Sequence, residues 1–262
     1  MNADPPSIAR PGKRVGIVDR AALILECFSR ANPELSLPQI ASRLKLPKAT
    51  AFRILTNLVR HGLLDHNAAA NLYTLGFGTL RLADNLLQNL EIRERARPVM
   101  QAIRDAVNET VVLSIRDGDE RYNIDSVEST HAIGQTQRIG SPIPLYAGAA
   151  SRVLLAAMPD REIASYLSRV ERVAFSPATL TDAKRLQDEI VRIRRRGFAA
   201  SSGEFTTGGH AVACAIVAGD GRAAGALHVS IPKARFTKEL EERCARHLVE
   251  GARSLAETLA GR

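Results

Sequence analysis

The stretch Leu46–Leu64, LPKATAFRILTNLVRHGLL, constrains the chain most, because it is one helix with two unlike faces. On a wheel of 100° per residue, Ala51, Phe52, Ile54, Leu55, Leu58 and Val59 fall on one side. Ala49, Thr50, Arg53, Thr56, Asn57 and Arg60 fall on the other. Pro47 suits the first helical position, where its missing N–H would have no partner, and Gly62 suits the stop. Lys48 sits in the first turn, where the helix dipole disfavours a cation unless a phosphate or base edge faces that end. A solvated surface helix has the same pattern, so the neighbouring segments decide.

Those neighbours read as a helix-turn-helix. Val18–Ala31 is amphipathic, with Asp19 as its cap. Ser36 caps a short helix that runs to about Leu44, with Ile40, Ala41 and Leu44 inward. A tight turn at Lys45–Leu46 precedes the two-faced helix. After Gly62, the pieces LLDH and LYTLG flank the polar loop NAAAN, which predicts a β-hairpin and makes the motif winged. In such a motif the second helix enters the major groove by its N-terminal residues. The spacing places Lys48, Ala49, Thr50 and Arg53 there, with Asn57 and Arg60 further along. Arg53 suits guanine, and Thr50 suits a phosphate, a base or a thymine methyl. Arg20, Ser36, Arg43 and the wing are expected at the DNA backbone.

Charge supports a polyanionic partner. The net charge is +8, and residues 1–62 hold ten Lys/Arg against four Asp/Glu, so most of the excess lies in under a quarter of the chain. Residues 1–16 lack periodicity and read as a flexible basic arm or as an ordinary frayed terminus. Three widely spaced cysteines form no disulfide framework, the N-terminus has no apolar signal region, and no apolar run approaches a membrane span; the cytoplasm is expected.

The boundaries follow from texture: a winged helix-turn-helix over 17–76, a linker helix over 77–92, and an α+β domain over 93–262. Phe77–Val107 is helical almost throughout, with Leu80, Leu82, Leu86, Leu87 and Leu90 suited to pairing with a second copy or to packing at home. Pro98 predicts a new helix from about Arg97. Beyond Glu109 come a hairpin turning at DGDE, helices from YAGAASRVLLAAMP, DREIASYLSRV and DAKRLQDEIVRIRRRG, two strands around Gly219-Asp220-Gly221, and a long closing helix. Mixed strands with hairpins and flanking helices predict an antiparallel sheet.

Catalytic and metal motifs are weak. There is no G-x-S-x-G elbow, no P-loop and no dinucleotide fingerprint, so no enzyme and no cofactor are expected. His210 and Cys214 on one strand lie about 13 Å apart and do not chelate one ion. Cys244 and His247 have helical i, i+3 spacing, but a helical cysteine reads as core.

The motifs DRAALILECFS, LSLPQIASRLKLPKATAFRILTNLVRHGLL, YTLGFGTLRLA, ETVVLSIRDGDERYNIDSVES, RIGSPIPLYAGAASRVLLAAMP, TLTDAKRLQDEIVRIRRRGFA and GEFTTGGHAVACAI occur in order and resemble the IclR family of bacterial transcriptional regulators over Val18–Leu259. The resemblance implies a GAF-like effector domain, a homodimer or homotetramer, operator DNA and small organic or aromatic acid effectors. It also implies a pocket at Ala149, Ala150, Ser201, Ser202, Glu204, His210 and Ala211. The chain departs from the family pattern at several places. Ala49 stands where serine is common, and Ser151-Arg152 where Gly-Lys is found. Ser201 stands for an aspartate, Ala211 for a cysteine and Ala215 for a proline. The pocket is thus expected to have lost a carboxylate and a thiol, leaving Ser201, Ser202 and His210 as ligand-holding candidates. Glu204 reads equally as a ligand contact or a turn cap. Arg152 reads as a salt bridge on a helix surface, with a ligand carboxylate as the alternative. The functional expectation is a ligand-responsive regulator, of repressor type. Its rivals are a DNA-binding protein with a non-functional sensor, and a metabolite-processing enzyme with an appended winged helix.

Overall fold

A computed structural model describes residues 16–135, 137–205, 207–219 and 221–260. The basic arm expected over residues 1–16 falls outside it except for Gly16. The chain divides into two compact units, residues 1–89 and 90–262.

The first unit begins with α1 (Ile17–Glu26), α2 (Leu37–Arg43) and α3 (Lys48–Arg60). The hairpin of β1 (Leu64–Asn67) and β2 (Leu72–Leu75) follows, and then α4 (Phe77–Gln88). Ile24, Leu35, Ile40, Leu55 and Leu64 are almost fully buried and pack as one core with Ile54, Leu58 and Tyr73. Burying each of these side chains contributes roughly 1.5–3 kcal/mol, so the core rather than helix propensity holds α2 and α3 in place. Asp19 is not the cap of α1; Gly16 is, and the Asp19 carboxylate accepts the Gly16 N–H at 2.8 Å. Pro47 stands one residue before the first turn of α3 rather than within it. Gly62 ends α3 as expected, with φ +69°. The Leu63 N–H reaches back to the Leu58 carbonyl and the Gly62 N–H to Val59, which satisfies two of the helix's last carbonyls. Gly76 and Gly78 then have a packing reason: a Cβ at either would collide with the Gly62 carbonyl, to which the Gly78 N–H donates at 2.8 Å.

The second unit opens with α5 (Glu91–Val107), which runs unbroken through Pro98. The expected restart at Arg97 is therefore corrected. Pro98 lies on the exposed side, and buried Ala96, Met100, Ile103 and Val107 hold the helix together across the missing hydrogen bond. Six strands form one antiparallel sheet: β3 (Thr110–Asp117), β4 (Glu120–Val127), β5 (Pro142–Pro144), β6 (Ala199–Ser202), β7 (Gly209–Val217) and β8 (Ala223–Pro232). Their order is β5-β4-β3-β8-β7-β6. Helix α6 (Ala149–Ala156) lies on one face, backed by α7 (Asp160–Arg169) and α8 (Ala183–Arg196). Helices α5 and α9 (Lys238–Ala260) pack on the sheet and against each other. Strand alternation gives each sheet face a different composition. Ala213 and Ala226 look toward α6, where they belong to its core, while Leu227, Val229 and Ile231 look the other way.

Candidate nucleic-acid interface and effector cavity

Helix α3 buries Ala51, Ile54, Leu55 and Leu58, which leaves Lys48, Ala49, Arg53, Thr56, Asn57 and Arg60 exposed and Thr50 half-buried. Phe52 is a correction. The wheel groups it with the buried Ala51, Ile54, Leu55 and Leu58, but it is 54% exposed and stands between Lys48 and Arg53 on the outer surface. The backing residues are less free than their charges suggest. The Arg43 guanidinium donates to Asn32 Oδ1 at 2.6 Å and to the Cys27 carbonyl, tying α2 to the end of α1. The Asn57 amide donates to the Arg53 carbonyl at 2.9 Å. The Ser36 hydroxyl donates to Gln39 Oε1 at 2.9 Å, closing the α2 cap. Arg20 is half-buried. The hairpin from Leu64 to Leu75 carries Asp65 and no Lys or Arg, so it offers DNA no cation. The outward-facing cations of α3 are Lys48, Arg53 and Arg60.

The second unit contains a cavity of about 590 Å³ between the inner sheet face and the start of α6. Ala149, Ala150, Ser201, Glu204 and Ala211 border it, as does His210. Ser202 does not: it alternates with Ser201, pairs across the sheet with His210, and is exposed. His210 borders the cavity but sends its imidazole elsewhere. Its Nε2 lies 3.0 Å from Glu241 Oε2 on α9, and its ring packs on Phe236 at 3.9 Å between centroids. Burial lowers the His210 pKa against the pull of Glu241.

The start of α6 is closed from within. Gly148 turns at φ +81°, and its N–H donates to Glu204 Oε2 at 3.3 Å. The Ala149 N–H donates to Ser201 Oγ at 3.1 Å. Glu204 also pairs with Arg152, whose Nη2 donates to the Ala200 carbonyl at 3.1 Å. Arg152 is only 2% exposed, so the expected surface salt bridge is a buried one. Glu204 thereby takes the turn-capping role. Ser176 and Thr179 hold its segment by donating to the Gly203 and Glu204 carbonyls at 2.6 Å each.

The opposite wall was missed in the sequence. Arg121 and Asn123 on β4, Ser230 and His228 on β8, and Gln135 and Gln137 from the connection before β5 all border the cavity. Gln137 donates to Ser230 Oγ at 3.0 Å, and Ser230 in turn donates to Gln135. Burial and the nearby Arg121 charge hold the His228 imidazole well below the usual histidine range, so it is neutral. The signal was present as alternation: Arg121 and Asn123 share one face of a strand otherwise reading as core, as do His228 and Ser230.

Of the metal pairings considered, Cys244 is fully buried in the core and the Cys214 thiol donates to the Gly197 carbonyl at 3.3 Å. Burial pushes the Cys214 thiol up to about 11 and the Cys244 thiol to about 12. Among the described residues, no helix is long and apolar enough to cross a membrane.

A winged helix-turn-helix followed in the same chain by a cavity-bearing α+β unit defines a transcriptional regulator with an effector-binding domain. The comparisons make the class specific. The profile of the bacterial transcriptional regulator IclR C-terminal domain matches residues 84–257, and that of the IclR helix-turn-helix domain matches 17–68. The chain belongs to the IclR family. It is 30% identical to the HTH-type transcriptional regulator KipR of Bacillus subtilis over 79% of this chain and 82% of that one. With the HTH-type transcriptional repressor AllR of Escherichia coli it shares 26% identity over 89% and 87%. The crystal structure of an IclR family regulator from Brucella abortus aligns with a TM-score of 0.78 at 28% identity, covering 92% of each chain. An IclR homologue from Microbacterium hydrocarbonoxydans, complexed with 4-hydroxybenzoate, shares the fold with a TM-score of 0.75 at 22% identity, covering 93% of this chain and 100% of that one.

Proposed function

We propose that this chain is a cytoplasmic, ligand-responsive repressor that acts as a homodimer or homotetramer and reads a palindromic operator. Lys48, Thr50 and Arg53 read the major groove, with Ala49 at the close approach and Phe52 against a thymine methyl. Arg20 and Arg60 reach phosphates. Arg43, Ser36 and Asn57 hold the reading head in shape through the bonds given above. The domain limits are those of the sequence reading, with the winged helix over 17–76, a linker over 77–92 whose helix α4 covers Phe77–Gln88, and the sensor over 93–262. A small organic acid, aromatic or aliphatic, occupies the cavity and shifts the equilibrium between states of different operator affinity.

One observation carries this reading. The second unit keeps a cavity of about 590 Å³ lined by charged and polar side chains, when a merely structural domain gains by filling such a space with apolar ones. That also disfavours a non-functional sensor. Self-pairing is supported by α4, where Phe77, Leu80, Leu82 and Leu86 are all more than half exposed. The AllR relative supports repression. A catalytic reading lacks support: the cavity's Ser201 hydroxyl accepts the Ala149 N–H, and the nearby Glu204 carboxylate is committed to Arg152 and the Gly148 N–H.

The test is binding of the full chain to the DNA upstream of its own gene and to random DNA of equal length, at two salt concentrations. Specific binding that exceeds random binding at both salts, and loses its margin in Arg53→Ala, is expected. Equal affinity for both DNAs contradicts sequence reading by α3.

A further inference from the structure

Among the described residues, the cavity contains a buried cation to which no anion is paired. Arg121 is 6% exposed, and its guanidinium meets only neutral oxygens. Its Nε donates to Ser151 Oγ at 3.1 Å, and its Nη1 donates to Ser114 Oγ at 2.8 Å and to Asn123 Oδ1. The Ser114 hydroxyl is itself spent on Asn123 Oδ1, and the Asn123 amide on the Arg138 carbonyl. No carboxylate pairs with Arg121 among the described residues. The cavity's own carboxylate, Glu204, is committed to Arg152 and to the Gly148 N–H.

This sets Arg121 apart from the other strongly buried charges. Glu109 has Arg235, Asp125 has Arg93 and Arg97, Glu241 has Lys238 and His210, and Arg152 has Glu204. A buried charge without a counter-charge is costly, because neutral dipoles replace only part of its lost hydration. Beside it, His228 leaves its buried Nδ1 without a hydrogen-bond partner and is neutral, so it adds a polar contact without adding repulsion. Two incomplete polar groups thus border one space.

We infer that Arg121 is the receptor for a carboxylate on the effector, with Asn123 and His228 flanking it, and that the start of α6 does not serve that role. This rests on the reading of the cavity as the effector site. The Gly148 and Ala149 amides at the α6 entry are taken by Glu204 and Ser201, so the ligand's charge goes to the β4 wall and its body extends toward Ala149, Ala150 and Ala211. Arg138 also borders the cavity but is exposed, so the buried Arg121 guanidinium sets the preference for a single carboxylate over a phosphate ester.

The test compares acids with their uncharged amides on the full chain: benzoate, 4-hydroxybenzoate and butyrate against benzamide, 4-hydroxybenzamide and butyramide, by calorimetry at constant ionic strength. At least one acid is expected to bind about 10- to 100-fold more tightly than its amide. In Arg121→Gln the preference falls to within about threefold, while Arg121→Lys keeps part of it. Should Arg121→Gln fail to fold, the wild-type chain still decides: the His228 imidazole nitrogen resonances shift on adding the acid and hold still on adding the amide. Acid and amide binding alike, inorganic phosphate competing as well as the acid, or an acid preference that survives Arg121→Gln overturns the Arg121 assignment and leaves a sensor. No binding by either series, acid or amide, overturns the sensor reading and the assignment with it.

Discussion

The outer face of α3 and the inner wall of the cavity both use arginine, in opposite ways. On α3, Lys48, Arg53 and Arg60 stand in water, where hydration removes any need for a local counter-charge. At the cavity, Arg152 behind its wall and Arg121 in it are almost fully buried; Glu204 neutralises Arg152, and no carboxylate among the described residues neutralises Arg121. Exposed cations give long-range attraction that salt screens, suited to a partner carrying a charge every few ångströms. A buried cation is screened little and discriminates single charges at short range. On the proposed reading the two units meet two kinds of anion, a polymer and a small molecule, with the same side chain in different dielectric surroundings.

The comparison breaks most visibly at Glu204. Glu204→Gln leaves Arg152 buried without a counter-charge and is expected to cost about 3–5 kcal/mol of stability, read as a drop in the denaturant midpoint of the C-terminal unit. A drop below about 1 kcal/mol means that the pair is better hydrated than its burial states. Arg53→Ala is expected to cost about 1–3 kcal/mol at the operator and to relax one base position, measured by anisotropy on a set of single-base operator variants. The cavity's electrostatics also predict a pH dependence. His228 is neutral in the folded chain, whereas in the unfolded chain it takes a proton below about pH 6.5. The unfolded state then holds more protons, so stability falls as pH drops below that value, by up to about 1.4 kcal/mol per pH unit for this group. His228→Gln should flatten that slope in thermal melts; an unchanged slope places the titration elsewhere. The smallest effect is expected at Arg60. Arg60→Ala should weaken operator and random DNA about equally and reduce the salt slope by about 1.

Much of the DNA-binding half was legible in the sequence because its rules are local. Capping at Ser36, the stop at Gly62 and the hairpin after it follow from nearest neighbours. Phe52 misled because an amphipathic wheel ranks residues by type, and an apolar side chain displayed to a partner looks like core. Pro98 misled because intrinsic helix cost yields to four buried side chains on the opposite face. The cavity was legible only in part. Ala149, Ala150, Ser201, Glu204 and Ala211 do meet around one space. Ser202 was lost to strand alternation, which turns neighbours to opposite faces, and His210 borders the space while its imidazole goes to Glu241. Arg121 was invisible because its meaning depends on the absence of a carboxylate, and that is a fact of three-dimensional surroundings. Arg152 was misread for the same reason: its partner lies 52 residues away.

The most direct test of the link between the two units is a single titration. Full-length chain is bound to the DNA upstream of its gene, and the carboxylate that binds most tightly is added, with its amide as the control. An acid occupying the cavity should change operator affinity about 5- to 150-fold in the wild-type chain, the amide much less, and neither should do so in Arg121→Gln. Operator affinity that stays constant while calorimetry shows the cavity filled would contradict ligand control of DNA binding.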